Sequence, residues 1–421
     1  MVIRSGAARN SLVDGRAAAT SSRRPVLEVL RVPSFPSLLF AGWLWTMCRW
    51  ASGFLGAFVA NRSTGSARLV QLTGVALWAP LLFGGVLGGV VSDRFDRRKT
   101  VIAQFAALIP LSALMGIAGI VGSIRLWMLY PFLVVVGIGW VADMTSRRAM
   151  IYDVVGTDRV ASAMALESVS TSSGLAIGTL LGGTAIQALG IGAAYLCVCG
   201  LAVGALVLFR RVPRMDRLTA STESPLVAFR SGFRLLRTER ALLSVLGVTA
   251  AVNFFFFSFT PLVQLVASDL GVGAFLTSLL AAMLGIGMMT GSGIVARTQP
   301  RRRGVVYVTG SGLAMVMLVP FALSPWYLVS LVFMLVSAIG MGLFSSLQGT
   351  LVMTSVAPEL RGRALGLLST AIGVLPVGMI LLGELAEEVG ARTAIVVSVL
   401  SGTAMLTGWL RWRPEVLERT G

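Results

Sequence analysis

The sequence is organised around GVVSDRFDRRK, Gly89 to Lys99, a short charged stretch between two long apolar runs. Its six charged residues fall within seven positions. The flanking runs, residues 69–92 and 100–124, contain no charged residue. Each run is long enough to cross a bilayer, and a charge at the bilayer centre is costly. The stretch is therefore predicted to form a turn at the membrane surface.

The spacing within this stretch matches a known family pattern. That pattern is Gly, three small or apolar residues, Asp, Arg or Lys, any residue, Gly, Arg, and Arg or Lys. The matching residues are Gly89, Asp93, Arg94, Arg97 and Arg98. Asp96 departs from the pattern because it stands where the family has its second glycine. The stretch resembles the loop between helices 2 and 3 of the major facilitator superfamily of transporters, and its FDRR form resembles the branch that contains the enterobactin-type exporters.

The composition indicates an integral membrane protein. Of the 421 residues, 56% are hydrophobic and only 13% are charged, whereas soluble domains contain about 25% charged residues. The net charge of +17 would suggest nucleic-acid binding in a soluble protein, but here it is attributed to arginine in cytoplasmic loops, and no nucleic-acid partner is expected. The chain has no histidine, and its three cysteines lie inside apolar runs. We therefore expect no disulfide framework, no metal site and no cofactor other than the proton gradient as the energy source.

Twelve runs have about the 20 apolar residues that a membrane helix needs. The predicted spans are 36–60, 68–92, 100–121, 127–146, 161–188, 192–209, 241–267, 274–296, 304–323, 326–352, 364–386 and 392–410. They predict an all-α integral membrane fold with two six-helix bundles, at 36–209 and 241–410.

Three polar segments complete the predicted organisation. Residues 1–35 are predicted to be a disordered cytoplasmic tail, and residues 411–421 a short cytoplasmic tail. The segment 210–240 is predicted to be a cytoplasmic linker. Within it, Leu226, Phe229, Phe233 and Leu236 share one helical face, which indicates an amphipathic helix on the membrane surface. A plain solvated loop is the alternative.

The distribution of basic residues predicts the orientation of the chain. With the N-terminus in the cytoplasm, 30 of the 35 Lys and Arg residues fall in cytoplasmic segments and four fall outside. Such a bias follows the positive-inside rule. The sequence therefore predicts a multi-pass protein of the cytoplasmic (inner) membrane with both termini in the cytoplasm.

The two halves contain a weak internal repeat. Residues 293–303 align with residues 89–99 at an offset of 204, with Arg297 in the position of Asp93. Repeats of this kind place the substrate site of a transporter between the two halves, near the middle of the membrane.

Arg49 is the only cation predicted deep inside a membrane span. A buried charge at this depth is a functional hypothesis by default, and Arg49 could hold an anionic group of a substrate. A structural ion pair or a side chain that extends to the surface is the alternative. Asn253 occupies the corresponding level of the second half. Trp50 and Phe254 adjoin these residues and are candidates for an aromatic cavity wall, with packing against lipid or core as the alternative.

Asp143 and Glu167 are the acids inside the fourth and fifth predicted spans. A carboxyl in a partly dry site can alternate between charged and neutral forms, which proton coupling requires. Without histidine, these two acids are the candidate proton carriers, and Glu167 is ranked first. A pairing with Arg147 or Arg148 at the headgroup level is the alternative, and either acid could also be the partner of Arg49.

A glycine motif in the fifth span indicates close helix packing. Gly174, Gly178 and Gly182 recur at every fourth position, which allows two helices to approach closely. With Gly183, the run resembles the antiporter motif of superfamily exporters, although Thr179 replaces its proline. This replacement weakens the indication of export over uptake.

The resemblance also implies a conformational switch. Asp153 resembles the acidic residue that ends helix 4 in the family, and it would form a charge relay with Asp93 and Arg97. Such a relay would hold the two halves together on the cytoplasmic side in the outward-facing state.

Taken with the resemblance, these features predict a monomeric major facilitator transporter that exports a small amphipathic molecule, such as a siderophore, secondary metabolite or drug, by proton-coupled alternating access. Arg49 favours anionic or neutral cargo. An uptake symporter and a non-transporting membrane sensor of the same fold are the alternatives. An enzyme is not expected, because the sequence contains neither histidine nor a Gly-x-Ser-x-Gly motif.

Overall fold

The computed structural model describes residues 28–94, 96–156, 159–213 and 235–418, without the side chains of residues 83–94 and 161. All regular secondary structure assigned within these ranges is helical. Most of the predicted N-terminal tail and most of the predicted linker helix lie outside the described residues.

The first half contains six numbered helices. They are α1 (Phe35–Thr64), α2 (Ala67–Arg94), α3 (Arg97–Ile120), α4 (Leu126–Ala142), α5 (Arg148–Val155) and α6 (Val160–Arg210). A π-helical segment, Asp143–Arg147, joins α4 to α5 without a break. Gly190 interrupts α6 with a φ of 87°, a left-handed value that glycine adopts without strain. The kink at this residue divides α6 into two successive helices.

The second half has a similar order of helices. They are α7 (Arg240–Ala251), α8 (Val263–Asp269), α9 (Ala274–Thr298), α10 (Arg303–Leu323), α11 (Tyr327–Thr354), α12 (Arg361–Ile372), α13 (Leu375–Val389) and α14 (Ala391–Trp412). A π-helical segment, Val252–Phe256, and a 3-10 segment, Phe257–Leu262, connect α7 to α8. Within the described residues, nine helical stretches are long and apolar enough to cross a membrane. The chain is therefore a multi-pass membrane protein.

The fourth predicted span ends later than the sequence indicates. The sequence predicts an end at residue 146, but the helix continues through the π-helical segment to Val155. Arg147 and Arg148 consequently lie within the helix and not in a loop. Because a π-helical turn contains one extra residue, it changes the direction of every side chain that follows.

The charged stretch makes a tight connection between α2 and α3. The carboxylate of Asp96 accepts hydrogen bonds from the backbone N–H groups of Arg98, at 2.8 Å, and Lys99, at 3.2 Å. An acid at this position satisfies helical donors and complements the positive end of the helix dipole. The departure of Asp96 from the family pattern therefore has a structural role as the N-cap of α3.

Each half has its own hydrophobic core. Trp45, Phe105 and Phe209 are buried in the first, and Phe256 and Phe259 are buried in the second. The halves meet mainly where α6 packs against α9 and where α2 packs against α13. The interface between these two bundles is where a site shared by both halves can form.

Candidate functional site

A cavity of about 60 Å³ lies between the two halves. Its walls include Trp50, Phe54, Trp78, Thr179, Gln264 and Met379. An apolar and aromatic wall with a few polar groups is typical of small-molecule sites, which usually measure about 300–1,000 Å³. The cavity is smaller than such sites, so a small-molecule ligand could occupy it only if the halves moved apart.

Polar contacts close one end of this interface, beside the connection between α1 and α2. Gln71, which is only 1% exposed, donates a hydrogen bond from Nε2 to the carbonyl oxygen of Ser258 at 2.9 Å. Nearer the surface, Arg68 pairs with Glu384 at 2.7 Å. Both contacts cross from the first half to the second, so they must break before the halves can separate at this end.

Arg49 lies in a cage of three tryptophans. Its guanidinium carbon is 3.9 Å from the ring centre of Trp140, 4.6 Å from that of Trp78 and 4.8 Å from that of Trp50. Cation–π contacts at these distances stabilise a cation away from water. The side chain is only 4% exposed, and its Nε and Nη2 atoms have no hydrogen-bond partner in the described residues. Neither predicted acid forms an ion pair with Arg49 within that part of the chain.

Asp143 and Glu167 instead share the guanidinium of Arg147. Arg147 donates from Nε and Nη2 to Asp143, at 2.5 and 3.0 Å, and from Nη1 and Nη2 to Glu167, at 3.1 and 2.5 Å. Arg148, whose side chain is 36% exposed, lies 3.7 Å from Glu167. Two carboxylates and one guanidinium carry a net charge of −1. This buried cluster, which we call the Arg147 triad, can be balanced by a proton or by a neighbouring cation, either Arg148 at 3.7 Å from Glu167 or Arg49, which interacts electrostatically with Asp143.

The glycine motif packs α6 against α1. A Cβ atom at Gly178 would lie 2.5 Å from the carbonyl oxygen of Met47, and one at Gly174 would lie 3.0 Å from the Cβ atom of Thr46. Gly183 faces the other half, where a Cβ atom would overlap Ser278 on α9. The motif therefore permits close approach both within the first half and between the halves.

At the end of the bundle that the sequence predicts to be cytoplasmic, Arg97 and Asp153 form one link of the predicted relay. Arg97 donates from Nη1 to Oδ2 of Asp153 at 2.7 Å, which joins the start of α3 to α5. Arg98 donates to the carbonyl oxygens of Val212 and Arg210. The positions of Gly89, Asp93 and Arg94 lie in the part of α2 whose side chains are not described, so the contact of Asp93 remains a prediction.

Three of the four predicted cavity residues, Arg49, Asn253 and Phe254, are not among the residues that line the cavity. Asn253 is 4% exposed and donates to the backbone oxygen of Thr249 in its own helical turn at 2.8 Å. The ring of Phe254 packs against Phe255. Both belong to the π-helical segment that follows α7, whose extra residue rotates the side chains around the helix axis. Among the predicted cavity residues, Trp50 does line the cavity.

Sequence reasoning does not single out three residues of the site. Arg147 is considered only as a surface partner for the acids, yet it is 1% exposed. Its spacing from Asp143, four residues along one helix, could have indicated the pair. Trp78 and Trp140 are missed because their approach to Arg49 depends on the relative rotation of three helices, which no local pattern specifies.

Comparisons with known proteins agree with this architecture. The chain matches the family model of the Major Facilitator Superfamily over residues 35–377. Macrolide efflux protein A of Streptococcus pyogenes is 22% identical over 363 residues, which cover 83% of this chain and 87% of that protein. The enterobactin exporter EntS of Shigella flexneri is 25% identical over 306 residues, which cover 71% and 70%.

Solved structures of transporters share the fold. A POT family transporter in complex with a thioalcohol-conjugated peptide has a TM-score of 0.74 at 10% identity and covers 92% of this chain and 99% of that one. The nucleoside transporter NupG has a TM-score of 0.67 at 13% identity and covers 90% and 98%. Since the family model spans most of the sequence, the chain belongs to the Major Facilitator Superfamily and is a membrane transporter rather than an enzyme.

Proposed function

We propose that this protein exports a small amphipathic molecule across the cytoplasmic membrane in exchange for protons. The direction is supported by the relatives, which are a macrolide efflux protein and an enterobactin exporter. The observation that carries the proton coupling is the Arg147 triad, in which two buried carboxylates share one guanidinium.

The proposal includes twelve membrane spans. The nine apolar stretches described above treat the two helices of α6 as one span, and they include neither α1 nor α2. Counting α6 as two helices and adding α1 and α2 gives twelve. The 30-residue α1 is long enough to cross a bilayer. With an even number of spans and basic cytoplasmic loops, both termini are assigned to the cytoplasm.

Proton exchange can work through competition at Glu167. The partly exposed Arg148 and a proton can each neutralise this carboxylate, while the buried Arg49 stays on the Asp143 side of the triad. In one state Arg148 is close to Glu167, as observed at 3.7 Å. When the cytoplasmic ends of the helices move, Arg148 can withdraw and a proton can take its place. Glu167 is therefore favoured over Asp143 as the proton carrier.

Alternating access would rely on contacts at both ends of the interface. The contacts of Gln71 and Arg68 close the end that the orientation assigns to the outside. On the cytoplasmic side, the Arg97–Asp153 pair lies within the first half, so Asp93 would supply the contact to the second half in the opposite state. Opening at one end while the other is closed would expose the cavity between the halves to each side in turn.

Everted membrane vesicles with an acidic interior test this function. We would add a panel of macrolides, siderophores, aromatic acids and cationic dyes and follow the release of protons from the vesicles. Proton release that depends on one class of compound and on the protein is expected. Proton release with none of the compounds, together with accumulation of one of them in right-side-out vesicles, would instead identify an uptake symporter.

A further inference from the structure

Within the described residues, no acceptor meets the Nε and Nη2 atoms of Arg49, although this side chain is buried. The three tryptophans lie against the guanidinium at 3.9 to 4.8 Å, but aromatic faces supply no acceptor in the plane of its N–H groups. Nε and Nη2 are buried nitrogens for which the described part of the chain supplies no acceptor. These adjacent nitrogens point their N–H bonds in the same direction, and this edge holds a carboxylate through two parallel hydrogen bonds.

Arg147 shows the same edge when it is occupied. Its Nε and Nη2 atoms donate to the two oxygens of Asp143, at 2.5 and 3.0 Å. Both arginines belong to the first half and both are almost completely buried. The two sites differ in that Arg147 has carboxylates from its own chain, whereas Arg49 has none among the described residues. Arg49 thus retains a complete binding edge for a carboxylate that comes from elsewhere.

The position of the cage indicates where that carboxylate comes from. Trp50 and Trp78 form two walls of the cage and also line the cavity between the halves. A molecule that entered the cavity would therefore meet these indole rings next to Arg49. Aromatic rings stack on indole in offset or edge-to-face arrangements. The neighbouring surfaces suit an aromatic body, and the arginine edge suits a carboxylate attached to it.

We propose that Arg49 binds the carboxylate of an aromatic cargo through its Nε and Nη2 edge, with Trp50 and Trp78 in contact with the aromatic body. This assignment rests on the proposed transport function and names its substrate class. The edge is covered in the present conformation, so the cargo reaches it when the halves separate and the indole rings turn aside. A second source of the carboxylate is the protein itself, if Asp143 were to exchange Arg147 for Arg49 in another transport state.

Matched acids and amides test the assignment. Binding of 1-naphthoate and benzoate to the purified full-length protein in lipid nanodiscs would be compared with binding of 1-naphthamide and benzamide, which keep the ring and lack the charge. We expect at least one acid to bind about tenfold or more tightly than its amide, because hydrogen bonds to a charged group contribute more than those to a neutral one. In Arg49→Gln, the acid and its amide should bind within about twofold of each other.

Two further variants separate the possible outcomes. Arg62→Gln, which removes an exposed arginine from the same helix, should keep the preference for acids. Arg49→Lys keeps the charge without the planar fork and should show an intermediate preference, which provides a result even if Arg49→Gln does not fold. Equal binding of acids and amides to the wild-type protein, no binding of any acid, or a preference that survives both Arg49 substitutions would overturn the assignment.

The test also distinguishes this inference from the proposed function. If neutral or cationic compounds drive proton release while acids and amides bind equally, the protein is an exporter and the carboxylate site is wrong. If 1-naphthoate binds through Arg49 but no compound drives proton release, the site is supported and proton-coupled export is wrong. If Asp143 is the partner of Arg49, Arg49→Gln and Asp143→Asn would produce the same change in transport and the acids would show no advantage, which also overturns the cargo site.

Discussion

Gly42 on α1 lies directly against the guanidinium of Arg147, and a methyl group at residue 42 would overlap the guanidinium carbon. The glycine therefore provides the space in which the Arg147 triad forms. Since this contact joins α1 to the segment after α4, the position of the triad depends on how closely these two helices approach.

Gly42→Ala is predicted to destabilise the protein by displacing Arg147. Overpacking of a tight site typically costs about 1–3 kcal/mol, and the displaced arginine would leave two buried carboxylates poorly paired. We expect Gly42→Ala to have a lower melting temperature than the wild-type protein, measured by size-exclusion chromatography of samples heated to a series of temperatures. Gly200→Ala is the matched control, because no neighbouring atom lies within 4 Å of a Cβ atom there. Equal melting temperatures for the two variants would show that Gly42 does not provide this space.

Asp153→Asn is predicted to slow transport without loss of expression. The substitution removes the charge that pairs with Arg97 at 2.7 Å, and Asp93→Asn should have the same effect if Asp93 belongs to the same relay. Because the Arg97–Asp153 pair is partly exposed, its contribution to the free energy of unfolding is expected to be only about 1 kcal/mol or less. Transport rates in vesicles, normalised to the amount of protein, measure the effect. Glu418→Gln, an exposed acid near the C-terminus, is the control, and unchanged turnover in Asp153→Asn would contradict the switch.

Gln71→Leu is predicted to favour the state that is open at the α1–α2 end. The variant loses the buried hydrogen bond to the carbonyl oxygen of Ser258, and an unsatisfied buried group costs about 1–3 kcal/mol. In a cysteine-free background, the rate of labelling of Thr260→Cys in the cavity wall by a membrane-impermeant thiol reagent should rise about fivefold or more.

Arg68→Gln provides the comparison for this experiment. The side chains of Arg68 and Glu384 are about half exposed, at 52% and 48%, and such ion pairs contribute little to stability. Labelling should therefore change much less than in Gln71→Leu. A larger effect of Arg68→Gln would mean that the surface pair, and not the buried hydrogen bond, keeps this end closed.

Most of the helical organisation could be predicted from the sequence. Apolar runs of membrane length correspond to the helices found in the structure, and charged stretches such as the one at Asp96 correspond to their connections. These features depend on composition over about 20 residues, which a single chain displays directly. The end of the fourth span could not be predicted from the sequence, because the helix continues through the π-helical segment beyond its apolar run.

The site was harder to predict than the fold. The two acids and Arg49 were found because charges within apolar runs are rare. Which residues contact these three side chains depends on the orientation of each helix about its own axis and on the distance between neighbouring helices. Arg147 lies between α1 and the fifth predicted span, and Trp140 reaches Arg49 from a third helix. Asn253 and Phe254 likewise lie in a π-helical segment after α7, whose extra residue no apolar pattern reveals.

The most direct test of the central claim is proton release from everted vesicles that contain Glu167→Gln. We predict that the variant still binds cargo but no longer releases protons when cargo is added, and that its transport rate no longer depends on pH. The amide keeps the size of the side chain and one acceptor for Arg147, which limits structural damage. Proton release at the wild-type level in Glu167→Gln, or its loss in Asp143→Asn alone, would contradict the assignment of Glu167 as the proton carrier.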